Sequence, residues 1–281
     1  MIKTAVQLKA KIQNLSGSDS QKAQALIRVF IMERFLERLS VSDLRDRFIL
    51  KGGMLVASAV GIQTRTTMDI DVSIQSLPLT KENIRSVIDE IIGIDIQDGV
   101  LFRLNKITDI MEEHEYPGIR CVLDAYLGKL HQPFKIDISA GDVITPAAIE
   151  YSYHLMLENR DITLWTYNIE TLLAEKLETI MSRGTANSRM RDYYDIYVIG
   201  GRKSFDLSVL HSAFIATCQK RNTAGLIPEF WTILDTVKAD DMMRKQWNNF
   251  RNHSFYVGEL SWHEVMERVI CVSEAMLDGS W

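Results

Sequence analysis

Asp69 and Asp71 sit in the stretch FILKGGMLVASAVGIQTRTTMDIDVSI, residues 48–74, alternating with Ile70, Val72 and Ile74. Successive side chains of an extended chain point to opposite faces, so Asp69, Asp71 and Ser73 share one face and the three β-branched residues share the other. Two adjacent carboxylates repel each other and resist joint ionisation unless a cation lies between them. A lone D-x-D is more often a solvated strand face. Here it follows Gly52 and Gly53, which stand after a short apolar strand and before a helix-like stretch. Such a turn lets backbone N–H groups approach a phosphate, and the helix N-terminus adds a favourable dipole. A glycine pair alone is usually only a turn. Joined to the carboxylates it becomes half of a complementary set: donors for a triphosphate, and hard oxygen ligands for the Mg²⁺ or Mn²⁺ that neutralises it. Asp137 adds a third carboxylate, because residues 134–139 put Phe134, Ile136 and Ile138 on one face of a strand and Lys135, Asp137 and Ser139 on the other.

Positioning these groups requires a sheet with one covered face. Residues 20–39 carry Ala25, Leu26, Val29, Phe30, Phe35, Leu36 and Leu39 at helical spacing with charged residues between them, which predicts an amphipathic helix over that face. Residues 48–50 read as a strand, 54–60 as the first turns of a helix ended by Gly61, and 84–92 as a helix. Residues 100–107, 118–127 and 134–139 read as strands, the last two joined by GKLHQP into a hairpin. Beyond Gly141 the periodicity turns helical, over 169–181 with Asn168 as N-cap, 189–199 stopped by Gly200 and Gly201, 207–218 and 262–277. The sheet-bearing half gives way to the helical half between residues 144 and 167.

At 281 residues and 46% apolar content the chain can bury two cores. Cys121, Cys218 and Cys271 lie far apart, supporting neither a disulfide framework nor a structural zinc site. No apolar run approaches the roughly 18 residues that span a bilayer, so the sequence predicts a soluble protein of a reducing cytoplasm with no membrane partner. A net charge of −5 argues against a general nucleic-acid coat. Residues 183–203 nevertheless hold five basic against two acidic side chains, a pattern shared by RNA tracks and by ordinary solvated helix ends.

A glycine-rich turn, a helix, D-x-D on a strand and a third Asp on a neighbouring strand resemble the polymerase-β-type nucleotidyltransferases. Read as KGG followed by RTTMDID, and joined by FKIDISAGD (134–142), LLAEKLETI (172–180) and SRMRDYYDIYVI (188–199), the chain is similar to the AbiEii toxin family of bacterial abortive-infection and toxin–antitoxin systems over residues 48–199. The resemblance implies an α/β (α+β) fold: a polymerase-β-like nucleotidyltransferase domain with a mixed sheet over residues 1–150, then a helical bundle over 151–281. It implies a Mg²⁺-dependent enzyme that moves nucleotides from NTPs to an RNA acceptor, in some relatives the 3′ end of tRNA, and a cognate antitoxin encoded nearby. Asp69, Asp71 and Asp137 are then the metal ligands, and Lys51, Gly52, Gly53, Arg65, Thr66 and Lys176 hold the nucleotide. Lys176 shares a helix side with Leu172, Leu173 and Ile180, so on its own it reads as a snorkelling stem; the family's AEK segment implies that its ammonium reaches the triphosphate. Arg191 and Asp195 have the i, i+4 spacing of a surface ion pair, whereas the family's RDxxD signature assigns Asp195, with Asp192 second to it, to the cleft. The acceptor enters along Arg189 and Arg191. Many relatives have Gly-Ser where this chain has Gly52-Gly53, leaving only backbone donors there. Two other readings use the same residues: transfer to a protein or small-molecule hydroxyl, which needs no basic track, and a non-catalytic nucleotide-binding protein, against which the intact carboxylate trio speaks.

Overall fold

Alternation becomes pairing in the computed structural model, which describes residues 1–110, 118–201 and 205–278. The chain divides into two compact units, Met1–Asp142 with Ile149–Thr166, and Val143–Ala148 with Tyr167–Trp281. The first contains α1 (Ala5–Ser16), α2 (Ser20–Ser40), β1 (Phe48–Lys51), α3 (Gly52–Val60), β2 (Asp69–Ile74), α4 (Lys81–Gly93), β3 (Val100–Ile110), β4 (Gly118–Leu127), β5 (Leu130–Ala140), β6 (Ile149–His154) and β7 (Asp161–Thr166). Among the described residues these strands form a seven-stranded mixed sheet in the order β3-β4-β5-β2-β1-β7-β6. β2 runs parallel to β5, and β1 parallel to β7; the other neighbours are antiparallel. Ile70 and Val72 of β2, Cys121, Leu123 and Ala125 of β4, and Phe134, Ile136 and Ile138 of β5 are all buried. α2 and α4 pack on the sheet, and Phe35 of α2 meets Phe102 and Phe134 with ring centroids 6.3 and 6.2 Å apart. Each such contact adds about 0.5–1.5 kcal/mol beyond area burial.

The β4–β5 hairpin is tighter than its sequence suggests. Leu127 pairs with Leu130, so the turn is Gly128-Lys129 alone, with Gly128 at φ +58°, and HQP belongs to β5. Pro133 is tolerated inside β5 because the pairing with β2 begins only at Lys135, leaving the side without a donor unpaired.

β6 and β7 occupy the segment that reads as a junction. What seats them is the charged side of α2, which the amphipathic pattern sends toward solvent. Glu33 accepts from Met156 N at 3.0 Å and from Tyr153 Oη at 3.4 Å. Arg34 lies 3.0 Å from Glu37 and 3.5 Å from Glu158, and Arg160 donates to Glu37 at 2.9 Å. Arg38 forks onto Asp98 at 2.8 and 2.9 Å. The contacts of Glu33, Arg34 and Glu37 tie α2 to residues 153–160, and those of Arg38 tie it to Asp98; removing Glu37 would strand the buried charge of Arg34.

The second unit holds α5 (Ile169–Arg183), α6 (Met190–Gly200), α7 (Leu207–Lys220), α8 (Phe230–Ala239), α9 (Asp241–Asn252) and α10 (Trp262–Asp278). Asn168 caps α5 as its position predicts: its Oδ1 accepts from Thr171 N at 2.7 Å, while its amide donates to Thr145 O at 2.7 Å and holds residues 143–148 in this unit. Phe214, Phe230, Leu234, Trp247 and Val265 fill the core. α1, α8 and α9 are additions to the helices legible in the sequence. Among the described residues no helix is long and apolar enough to cross a membrane.

Burial pushes the Glu33 carboxyl up to about 8 against an ordinary value of 4.5, with the Met156 N–H and the Arg34 charge opposing it. The folded protein therefore holds that proton more tightly than the unfolded chain does. Its stabilising contribution is complete below about pH 4.5 and is lost as pH rises through about 8. Urea denaturation should show stability declining across that window, and Glu33→Gln, which keeps the acceptor, should flatten the decline; an identical slope in the variant would assign it to other groups.

Candidate active site

β2 and β5 pair in parallel with Asp71 opposite Asp137 and Asp69 opposite Lys135, so strand register alone gathers the three carboxylates. One oxygen from each lies within 4.8 Å of the others. Desolvation, then the charges of Asp69 and Asp137, push the Asp71 carboxyl up to about 7, with Lys51 and the Gly53 N–H opposing. These three are hard, anionic oxygen donors at close quarters, which is the donor set that Mg²⁺ and Mn²⁺ take.

The glycines are there for space. Gly52 opens α3 at φ +63°, and a Cβ on it would stand 2.0 Å from Asp71 Oδ2. A Cβ on Gly53 would stand 2.4 Å from Thr67 Oγ1. With both side chains missing, the α3 N-terminus closes onto the carboxylates, and Gly53 N donates to Asp71 Oδ2 at 3.3 Å. Thr67 Oγ1 donates to Asp69 Oδ1 at 3.0 Å. Arg65 and Thr66 are almost fully buried: Arg65 donates to the carbonyl of Thr66, and its Nη2 would lie 3.4 Å from a Cβ on Gly53.

Lys51, opposite Asp71 in the β1–β2 ladder, donates to Asp142 Oδ2 at 2.7 Å, and Ser139 Oγ donates to the same oxygen at 2.7 Å. Asp137 is held by Arg120 of β4, whose Nε and Nη2 donate to its two oxygens at 2.7 and 2.6 Å. Arg120, Thr67, Ser139 and Asp142 are site residues that the motif reading passes over. Arg120 was recoverable: counting back along both strands from Leu127 opposite Leu130 puts Arg120 opposite Asp137.

The remaining predicted residues belong to the helical unit. Lys176 of α5 lies 2.6 Å from Asp192 Oδ1 and 2.9 Å from Asp195 Oδ2, both on α6. Asp195 is fully buried and Lys176 nearly so. Burial opposes the ammonium charge, but Asp192 and Asp195 outweigh it and hold Lys176 above the usual lysine range. The stem does not carry its charge to open water, and Asp195 has this internal partner rather than only a surface one. Arg191 is exposed and Arg189 half-buried, its backbone N–H donating to Asn187 Oδ1 at 2.9 Å. Arg202 and Lys203, the end of the basic stretch, lie outside the described residues.

The family model described as "Nucleotidyl transferase AbiEii toxin, Type IV TA system" matches residues 34–268. No curated protein matches the sequence. Among solved structures, JHP933 from Helicobacter pylori is similar at 16% identity and a TM-score of 0.48, over 92% of this chain and 93% of that one. An antigenic nucleotidyltransferase-like protein from Paracoccidioides brasiliensis is similar at 14% identity and a TM-score of 0.41, over 75% of this chain and 93% of that one. The family match takes in the glycine turn, all three clustered carboxylates, Lys176 and Asp195, and with it the chain belongs to the AbiEii nucleotidyltransferase toxin family of type IV toxin–antitoxin systems.

Proposed function

We propose that this nucleotidyltransferase moves a nucleotide from an NTP to the terminal hydroxyl of an RNA, the 3′ end of tRNA above all, and that this arrests growth unless an antitoxin encoded nearby restrains it. The observation that carries the reading is the cluster of Asp69, Asp71 and Asp137 oxygens within 4.8 Å, set against the N-terminus of α3. Asp69, Asp71 and Asp137 fit a divalent cation, Mg²⁺ or Mn²⁺, which when bound supplies charge stabilisation for the triphosphate. In the transfer the acceptor oxygen bonds to the α-phosphorus, the bond from that phosphorus to the β-phosphate oxygen breaks, and pyrophosphate leaves with the electron pair. The hydroxyl proton goes to Asp137 or to water. Lys51, beside Asp71 in the ladder, contributes positive charge where the phosphates gather. The RNA part of the reading is supported by Arg189 and Arg191 at the start of α6, within a basic stretch of an otherwise acidic chain.

The test is incubation of the purified protein with Mg²⁺, each labelled NTP in turn and total tRNA. Label should appear on RNA, and Asp69→Asn or Asp71→Asn should remove it, by at least about a thousandfold, with no loss of melting temperature because like-charge repulsion is relieved. Label on protein or on a small molecule instead would move the acceptor to that class, and undiminished transfer by either variant would overturn the site. Growth arrest on expression should vanish with Asp69→Ala. Replacing Arg189 and Arg191 with Ala should raise the KM for RNA and make its salt dependence shallower, the log–log slope changing by about 0.7 for each single-strand phosphate that the variant ceases to neutralise.

Lys176 has two roles that separate by measurement. Lys176→Met strands the buried Asp195 and should cost about 3–5 kcal/mol of stability, while Lys176→Met with Asp195→Asn should recover most of it. If Lys176 also serves the reaction, the stable double variant still transfers at least tenfold more slowly than Asp195→Asn alone; equal rates would confine the lysine to structure.

A further inference from the structure

Asp137 is the member of the carboxylate cluster whose charge already has a partner in contact. The guanidinium of Arg120 meets it side-on, Nε to Oδ1 at 2.7 Å and Nη2 to Oδ2 at 2.6 Å, so both oxygens are engaged. The contact follows from the ladder. Arg120 is directly opposite Asp137 in the antiparallel β4–β5 pair, and the flanking Ile119 and Cys121 of β4 and Ile136 and Ile138 of β5 are buried, so neither strand can slip by one residue without turning its apolar side chains out of the core. Asp69 and Asp71 differ from it: their contacts are with neutral donors, the Thr67 hydroxyl and the Gly53 amide.

We propose that Arg120 is a positioning residue that acts as the protein's own counter-ion at Asp137, so that a divalent cation gains Asp137 as a ligand only when a nucleotide triphosphate draws the guanidinium away or shares it. A guanidinium that binds a carboxylate through two parallel N–H groups binds a phosphate the same way, so the arriving triphosphate offers Arg120 an equivalent partner and no charge is left uncompensated. Without nucleotide, Arg120 orients Asp137 and keeps the three carboxylates from repelling one another apart; it also competes with the cation for the same oxygens. The consequence is ordered loading, in which a metal ion is bound weakly by the free protein and firmly with its NTP. The inference rests on the metal reading of Asp69, Asp71 and Asp137 and deepens it.

The experiment is titration of the nucleotide-free protein with Mn²⁺, followed by the electron paramagnetic resonance signal of free Mn²⁺ and, in parallel, by the melting temperature. Arg120→Gln should bind Mn²⁺ at least about tenfold more tightly than the wild type, since a positive charge is removed from beside the ligands. Its melting temperature should lie below the wild type's without metal and rise by more on adding Mn²⁺. Arg120→Lys, which keeps one charge but cannot span both oxygens, should fall between the two and serves if the glutamine variant does not fold. Placed in an Asp137→Asn background, Arg120→Gln should bring no gain. Unchanged or weaker Mn²⁺ binding by Arg120→Gln, or a gain that survives without Asp137, would overturn the proposal. Asp69→Asn and Asp71→Asn run alongside: if they leave Mn²⁺ binding untouched, the metal reading fails and takes Arg120 with it, whereas if they abolish binding while Arg120→Gln changes nothing, only the role of Arg120 is lost.

Discussion

The parallel pairing of β2 with β5 is the constraint around which the first unit is arranged. It is driven by burial of Ile70 and Val72 beside Ile136 and Ile138, and each of those side chains contributes roughly 1.5–3 kcal/mol when removed from water. The same register that buries the apolar face forces Asp71 against Asp137 on the other. Strand periodicity offers no way to have one without the other. Everything near the site then answers a problem of excess negative charge. Arg120 crosses from β4 to Asp137, Lys51 lies beside Asp71 while bonded to Asp142, Thr67 turns its hydroxyl to Asp69, and the α3 amide end is brought down onto Asp71.

That last arrangement explains Gly52 and Gly53 better than flexibility does. Helix N-termini stabilise anions only at close range, because the effect decays within the first turn. Here the approach is so close that Asp71 Oδ2 occupies the place of a Cβ on residue 52, and Thr67 Oγ1 that of a Cβ on residue 53. A threonine hydroxyl arriving from the loop before β2 thus stands where a side chain on residue 53 would begin. Any side chain at either glycine would push apart the elements whose contact the site needs.

How much of this was legible depended on whether a residue's role is local. β2, β4 and the face assignment of Asp69, Asp71 and Asp137 could be read because alternation is a nearest-neighbour property, and the Asn168 cap because a capping side chain acts within three residues of itself. β6 and β7 were not readable. Their seat on α2 is made of Glu33, Arg34 and Glu37, and a rule that sends charge to solvent sees an exposed helix face where the fold has a buried polar network joining residues more than a hundred positions apart. Arg120 escaped for a different reason: with a six-residue connection in place of Gly128-Lys129, counting along the hairpin brings the wrong residue opposite Asp137. For Lys176 the sequence showed an ammonium on an apolar helix but not the two aspartates of α6 that meet it.

Two clusters of aspartates among the described residues, one in each unit, differ in how their charge is compensated. In the helical unit, Asp192 and Asp195 each touch the same ammonium, at 2.6 and 2.9 Å, and the lysine is held in its charged form in spite of burial. Each carboxylate there has a cation in direct contact, and bringing a further cation in would mean competing with a covalently tethered one. In the first unit the compensation stops short. Asp137 has Arg120, but Asp69 and Asp71 rest on a hydroxyl and an amide, and burial, then the charges of Asp69 and Asp137, push the Asp71 carboxyl up to about 7. A carboxylate that resists ionisation because it is buried beside other carboxylates is one whose ionised form gains most when a divalent cation arrives. The incomplete charge balance at β2, rather than the presence of acidic residues as such, is what sets this end of the sheet apart from the acid cluster of α6.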